Sequence, residues 1–167
     1  IFLPRTNFEA QEKSRIIIES EIIKEDFKIY GWRHVPLNTK ILGDKAKATL
    51  PEIEQILICN EKYTNELELD DKLYLVRKRI EKKINENNIS DFYICSFSSQ
   101  SIIYKGMFLA EQLSNFYLDI EDKRFVSKFA VYHQRYSTNT FPTWSLAQPF
   151  RIIAHNGEVN TLKGNKN

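Results

Sequence analysis

Cysteine is scarce in this chain. Cys59 and Cys95 are the only two among 167 residues, they form no CxxC, and each sits in an apolar run, Ile56-Leu57-Ile58-Cys59 and Phe92-Tyr93-Ile94-Cys95. A disulfide framework is not expected from that count, and reduced thiols in a reducing compartment are. Long hydrophobic runs are missing as well. None approaches the ~18 apolar residues needed to cross a bilayer, and no signal or transit peptide is visible. An excess of one charge sign is also lacking: 24 basic residues face 22 acidic ones for a net +2. Acids and bases are interleaved, as in Glu12-Lys13 and Glu81-Lys82-Lys83, which reads as solvated helix faces rather than the one-sided footprint of a nucleic-acid binder. Neither nucleic acid nor membrane is an expected partner. The three histidines, His34, His133 and His155, stand far apart with no ligand-like pairing, so no metal site is expected. Repeats and low-complexity stretches are absent too.

What remains is a chain of about one domain, 42% hydrophobic and 28% charged, able to bury a core. It opens on Ile1 inside a strand-like Ile1-Phe2-Leu3-Pro4 and stops at Gly164-Asn165-Lys166-Asn167; both ends look cut, and a fragment of a longer protein is expected. Ile (20), Lys (16) and Asn (13) exceed a quarter of the residues. Their AT-rich codons suggest a plastid stroma, or else a bacterial cytoplasm.

Hydrophobic spacing predicts a helix from about Phe8 to Asp26, with Ile17, Ile18 and Ile22 on one face. A strand is expected around Phe27 to Pro36 and another at Gln55 to Cys59. Leu73, Val76, Ile80 and Ile84 recur at three- and four-residue steps, the stripe of a second helix that stops in Asn85-Glu86-Asn87-Asn88. Asp91–Phe97 and Ser101–Gly106 around a short polar link read as a β-hairpin. A short helix is expected over Met107–Tyr117, and strands over Val126–Ser137 and Phe150–His155. Helices early and midway with antiparallel strands between suggest an α+β or α/β layered fold, and strands apolar on both faces suggest sheets covered on both sides.

The last forty residues are dense in groups capable of recognition. Arg135 ends an apolar strand, where a guanidinium can grip a carboxylate with two hydrogen bonds; a strand-end Arg reaching to water is the plainer alternative. Asn156-Gly157 follows Ile152-Ile153-Ala154 directly. A glycine there admits positive φ and close backbone approach, so the Asn amide and the Gly N–H can converge on one point and stabilise an oxyanion. A lone Asn-Gly is more often only a hairpin turn. Trp144 and Phe150 fit packing beneath the intervening loop better than substrate contact.

Taken together, His133-x-Arg135-Tyr136-Ser137-Thr138-Asn139-Thr140 and Ala154-His155-Asn156-Gly157-Glu158-Val159-Asn160 resemble the class II glutamine amidotransferases of the N-terminal-nucleophile hydrolase superfamily. The longer run through Phe141-Pro142, Leu146-Ala147-Gln148-Pro149-Phe150-Arg151 and Gly164-Asn165 is similar, more narrowly, to glutamate synthase large chains. Gly31-Trp32-Arg33-x-Val35-Pro36, Ser96-x-Ser98-Ser99, Ile103-Tyr104-Lys105-Gly106-Met107 and Glu111-Gln112-Leu113 follow the same pattern in the same order, so the resemblance covers essentially the whole chain.

That resemblance implies a four-layer αββα sandwich, with residues 1–167 forming part of one glutaminase domain that lacks its first strand. It implies that Arg135 binds the α-carboxylate of glutamine with Tyr136 and Thr138 beside it, and that Asn156 and Gly157 form the oxyanion hole; His155, adjoining that turn, is expected to order it. The family nucleophile is a mature N-terminal Cys whose own amine, with an ordinary pKa of ~7.7–8.0, acts as base. Ile1 departs from this pattern, and Cys59 and Cys95 are expected to be structural thiols, so the 167 residues alone should be inactive. Ammonia would pass to a downstream synthase domain of the same chain for reductive amination of 2-oxoglutarate. FMN and a 3Fe-4S cluster would lie in that domain and no cofactor in this segment. Ferredoxin is the expected electron donor, with a nicotinamide-nucleotide-oxidising small subunit as the other candidate. The rival readings are another class II amidotransferase, of an asparagine, glucosamine-phosphate or purine pathway, and a nucleophile-less scaffold domain.

Overall fold

The computed structural model describes residues 1–134 and 141–151. Three strands, β1 (Phe2–Leu3), β2 (Lys28–His34) and β3 (Glu52–Cys59), form an antiparallel sheet in the order β1-β3-β2. Two long helices, α1 (Phe8–Ile23) and α3 (Glu66–Glu86), and two short ones, α2 (Asp44–Ala48) and α4 (Leu113–Phe116), complete the regular structure. The mixed α+β character expected from the sequence is present.

Both long helices begin as their sequences dictate. The Asn7 side chain accepts the amide of Ala10 and the Asn65 side chain that of Leu67, each at 2.9 Å, satisfying amides that lack an intrahelical partner at about 1 kcal/mol per cap. Glu66 and Glu68 place negative charge on the first turn of α3, where the helix dipole favours it. The Asn-rich stop works as expected. Asn88 takes φ +53°, a left-handed conformation asparagine tolerates, and the Ile89 amide returns to the Ile84 carbonyl at 3.2 Å.

The predicted stripes are the buried ones. Ile17, Ile18 and Ile22 of α1 meet Leu73, Val76, Ile80 and Ile84 of α3 in one core. Ile29, Trp32, Ile56 and Ile58 join it from the sheet, so both helices lie on one sheet face. Ile29 and Trp32 are three residues apart, yet they oppose Ile58 and Ile56 in the ladder because a bulge falls between Ile29 and Gly31. Gly31 carries φ +149°, a conformation open to glycine, and the extra residue keeps two large apolar side chains on the helix face.

Ion pairs frame this layer. Glu21 on α1, with its side chain 2% exposed, receives Lys24 at 2.7 Å, Lys83 at 2.5 Å and Arg79 at 3.3 Å, tying α1 to α3. Arg15 binds both oxygens of Glu54, at 2.9 and 2.6 Å, tying α1 to β3.

The far sheet face carries a second core, built from Phe2, Val35, Ile53, Cys95, Phe116, Tyr117 and Trp144. It covers only part of that face: Tyr30 is 75% and Leu57 50% exposed.

Three expectations are corrected. Residues 91–106 form no hairpin. Tyr93 bridges to Phe2 instead, with both Phe2–Tyr93 backbone bonds made, at 2.7 and 2.9 Å. The serines then leave the ladder, because side-chain oxygens compete for backbone partners. Ser98 and Ser99 donate their hydroxyls, and Ser99 its amide, to Asp70 of α3 at 2.8 Å. Of the strand expected over Val126–Ser137, residues 126–134 carry no strand pairing, Val126, Phe129 and Tyr132 stand exposed, and residues 135–137 lie outside the described residues; an apolar run becomes a strand only beside a partner. The Met107–Tyr117 helix is shorter than expected, a 3₁₀ turn over Ala110–Gln112 followed by α4. Of the strand expected over 150–155, residues 152–155 lie outside the described residues. No helix among the described residues is long and apolar enough to cross a membrane.

Candidate functional site

Arg135, Tyr136 and Thr138, and likewise His155, Asn156 and Gly157, lie outside the described residues. What is described is the strap of residues 141–151 that joins these two segments along the chain, and the bed on which it rests.

Trp144 anchors the strap. Its indole is 4% exposed, and Nε1 donates to the Ala46 carbonyl of α2 at 3.1 Å. It meets Phe2 edge-on at 6.1 Å between ring centres and lies 5.7 Å from Phe116. Such aromatic pairs add ~0.5–1.5 kcal/mol beyond burial. The sequence expectation that Trp144 packs beneath the loop is met.

Lys105 holds the middle. Its side chain is buried, with the residue 1% exposed. Nζ donates to the Ser145 carbonyl at 2.8 Å and lies 4.3 Å from the centre of the Tyr93 ring and 4.9 Å from that of Phe150. An ammonium over two aromatic faces gains from both, most when desolvated. The Tyr117 hydroxyl donates to the Lys105 carbonyl at 2.7 Å, fixing the backbone beneath it. Burial lowers the Lys105 pKa from 10.5 to about 8.

Arg151 closes the strap. It donates to Glu81 of α3 at 2.9 Å, and its guanidinium carbon lies 4.8 Å from the centre of the same Tyr93 ring. Lys105 and Arg151 therefore share one aromatic partner. Burial raises the Tyr93 phenol above its ordinary value, so the ring stays neutral beside them.

Neither cysteine is placed as a nucleophile. Cys95 is buried beside Phe2, and burial pushes its thiol up, away from the reactive thiolate. Cys59 is half-buried at the end of β3, paired with Lys28 in the ladder. Both sit inside the chain, without the free α-amine that the family nucleophile uses as base.

One trio among the described residues has metal-ligand spacing: His34, Glu52 and Glu54, with ligand atoms within 4.8 Å of one another. His34 Nδ1 lies 2.9 Å from Glu52 and 3.4 Å from Glu54. Since Arg15 already binds both oxygens of Glu54, a cation there would sit against a guanidinium, and the trio is already engaged by the Arg15–Glu54 ion pair and the His34–Glu52 hydrogen bond. The two cysteines do not fit an iron–sulfur cluster, which Cys thiolates hold.

The sequence reading did not single out Lys105 or Arg151 as anchors. The available signal was a lysine between Ile102-Ile103-Tyr104 and a glycine, an unusual place for a solvated charge.

A family model described as glutamine amidotransferases class-II matches residues 1–167. The "Glutamate synthase [NADPH] large chain" of Azospirillum brasilense is 60% identical over 167 residues, covering all of this chain and 11% of that protein. The "Ferredoxin-dependent glutamate synthase 2" of Synechocystis sp. is 48% identical over 168 residues, and the chloroplastic ferredoxin-dependent enzyme of Spinacia oleracea 42%, each over all of this chain and 10% of the relative. The chain spans about a tenth of the length of these relatives. With the family model matched from end to end, the chain belongs to the class II glutamine amidotransferases.

Proposed function

We propose that this chain is part of the glutaminase domain of a glutamate synthase, which releases ammonia from glutamine for reductive amination of 2-oxoglutarate in a synthase domain of the same polypeptide. The observation that carries this reading is the similarity of all 167 residues to about a tenth of the length of glutamate synthases, at 42–60% identity, together with the Arg135 and Asn156-Gly157 motifs in their family order. Arg135 takes the α-carboxylate of glutamine, with Tyr136 and Thr138 beside it. Asn156 and the Gly157 amide receive the oxyanion formed as a thiol attacks the side-chain amide. Burial of Cys95 and the place of Cys59 inside the chain, paired in the ladder at the end of β3, favour a thiol from outside these 167 residues, with its own amine as base.

The fold we propose for the intact domain is the four-layer αββα sandwich. A sheet with helices on one face and exposed Tyr30 and Leu57 on the other fits a second sheet packed there. FMN and a 3Fe-4S cluster belong to the rest of the protein in this reading. The nicotinamide-linked relative is the more similar one, at 60% against 42–48%. That ordering favours NADPH over ferredoxin as the electron source and a bacterial cytoplasm over a plastid stroma. Turnover of the whole protein with NADPH or with reduced ferredoxin decides between the donors.

The test of the site is Asn156→Ala in the whole protein. Glutamine-dependent turnover should fall by about 10²–10³, as for loss of one oxyanion donor, while ammonia-dependent turnover stays unchanged. Equal loss of both would refute the assignment.

A further inference from the structure

Lys105 is a buried ammonium with no carboxylate within ion-pair distance among the described residues, and its polar bond is to a backbone carbonyl of the strap. Burying a charge without a counter-ion costs stability, and a methionine of similar length would fill the same space without that cost. What the charge obtains in return comes largely from the strap: the Ser145 carbonyl and the face of Phe150, with the Tyr93 ring beneath shared between Lys105 and Arg151 of the strap. The next residue, Gly106, lets Trp144 lie directly on the backbone, since a Cβ there would meet that ring at 2.4 Å. Lys105-Gly106 is thus a two-residue seat for the strap.

We propose that Lys105 is a positioning residue of the glutamine reaction. Its ammonium holds the strap that joins the Arg135 segment to the Asn156-Gly157 segment along the chain, so that loosening the strap weakens glutamine binding. This rests on the glutaminase reading. A side chain that merely filled the core would stabilise the fold. Lys105 instead opposes folding through its buried charge, which is the pattern of a residue retained for function.

The experiment uses the whole protein with Lys105→Met. The KM for glutamine should rise by about tenfold or more, as expected for a misplaced binding group. Ammonia-dependent turnover should be unchanged, and the melting temperature should not fall. Amide hydrogen exchange over residues 141–151 should speed up. Lys105→Arg, which keeps charge and donors, should be impaired less than Lys105→Met. A glutamine KM within about twofold of wild type, or parallel loss of both activities with a lowered melting temperature, would overturn the proposal. Absence of glutamine-dependent turnover in the wild type would instead sink the glutaminase reading, and exchange over 141–151 would still report whether Lys105 holds the strap.

Discussion

The indole of Trp144 lies against Gly106 so closely that a Cβ on the glycine would stand 2.4 Å from one ring carbon and 2.9 Å from another, with the Phe108 ring at 2.5 Å. Trp144 is buried, and both rings pack in the aromatic cluster around Phe116, so relieving the contact means shifting that cluster. Gly106→Ala should therefore cost about 1–3 kcal/mol, the usual range for overpacking a core, and should displace the strap. Thermal melting of the variant and a red shift in Trp144 emission check this. An alanine variant with unchanged melting and emission would mean that the contact is looser than described.

Lys105 gives the fold an alkaline signature. Its pKa is about 8 when folded against 10.5 when free. Between those values the unfolded chain holds the proton and the folded chain has released it, so stability rises with pH across that window. Below pH 8 the penalty is at its full size, about 3 kcal/mol. The groups facing the amine are the Cys95 thiol, the Arg151 guanidinium and the Tyr93 phenol, and burial pushes both the thiol and the phenol up. Lys105→Met should accordingly unfold less readily than wild type at pH 7, with the difference shrinking toward pH 10. Denaturant titrations at a series of pH values measure it; a difference independent of pH would contradict the assignment.

Glu21 gives the opposite signature on the acid side. Burial opposes its ionisation, but hydrogen bonds from Lys24 and Lys83 outweigh that and hold its carboxyl below the ordinary 4.5. The stabilisation is present above pH 4.5 and is lost as pH falls through the lower folded value. Since the lysines are half-exposed, Glu21→Gln should cost about 1–2 kcal/mol at pH 7. It should cost almost nothing in strong acid, as urea titrations at both pH values would register.

The helical half of the fold was legible because its signals are local. Ile17, Ile18 and Ile22, and Leu73 through Ile84, declare their faces by spacing alone, and the Asn85–Asn88 run marks where α3 stops. Residues 91–106 misled because periodicity does not name a partner. Phe92 to Cys95 has the composition of a hairpin arm, but Phe2 claims Tyr93 and Asp70 claims the serines. Both pairings are long-range, and no local pattern announces them. The candidate site was legible only through resemblance. Arg135 and Asn156-Gly157 are ordinary residues taken singly, and it was their order along the chain that pointed to glutamine. Lys105 escaped because a buried lysine is recognised by its surroundings, which sequence does not list in space.

The most direct measurement is the steady-state kinetics of Arg135→Ala in the whole protein, with glutamine or ammonia as the nitrogen source. A guanidinium gripping the α-carboxylate predicts a KM for glutamine raised by about 10-fold to 200-fold, equivalent to 1.5–3 kcal/mol for a charged hydrogen-bonding contact, with ammonia-dependent turnover unchanged. Glutamine turnover at wild-type KM, with ammonia turnover equally intact, would contradict the account.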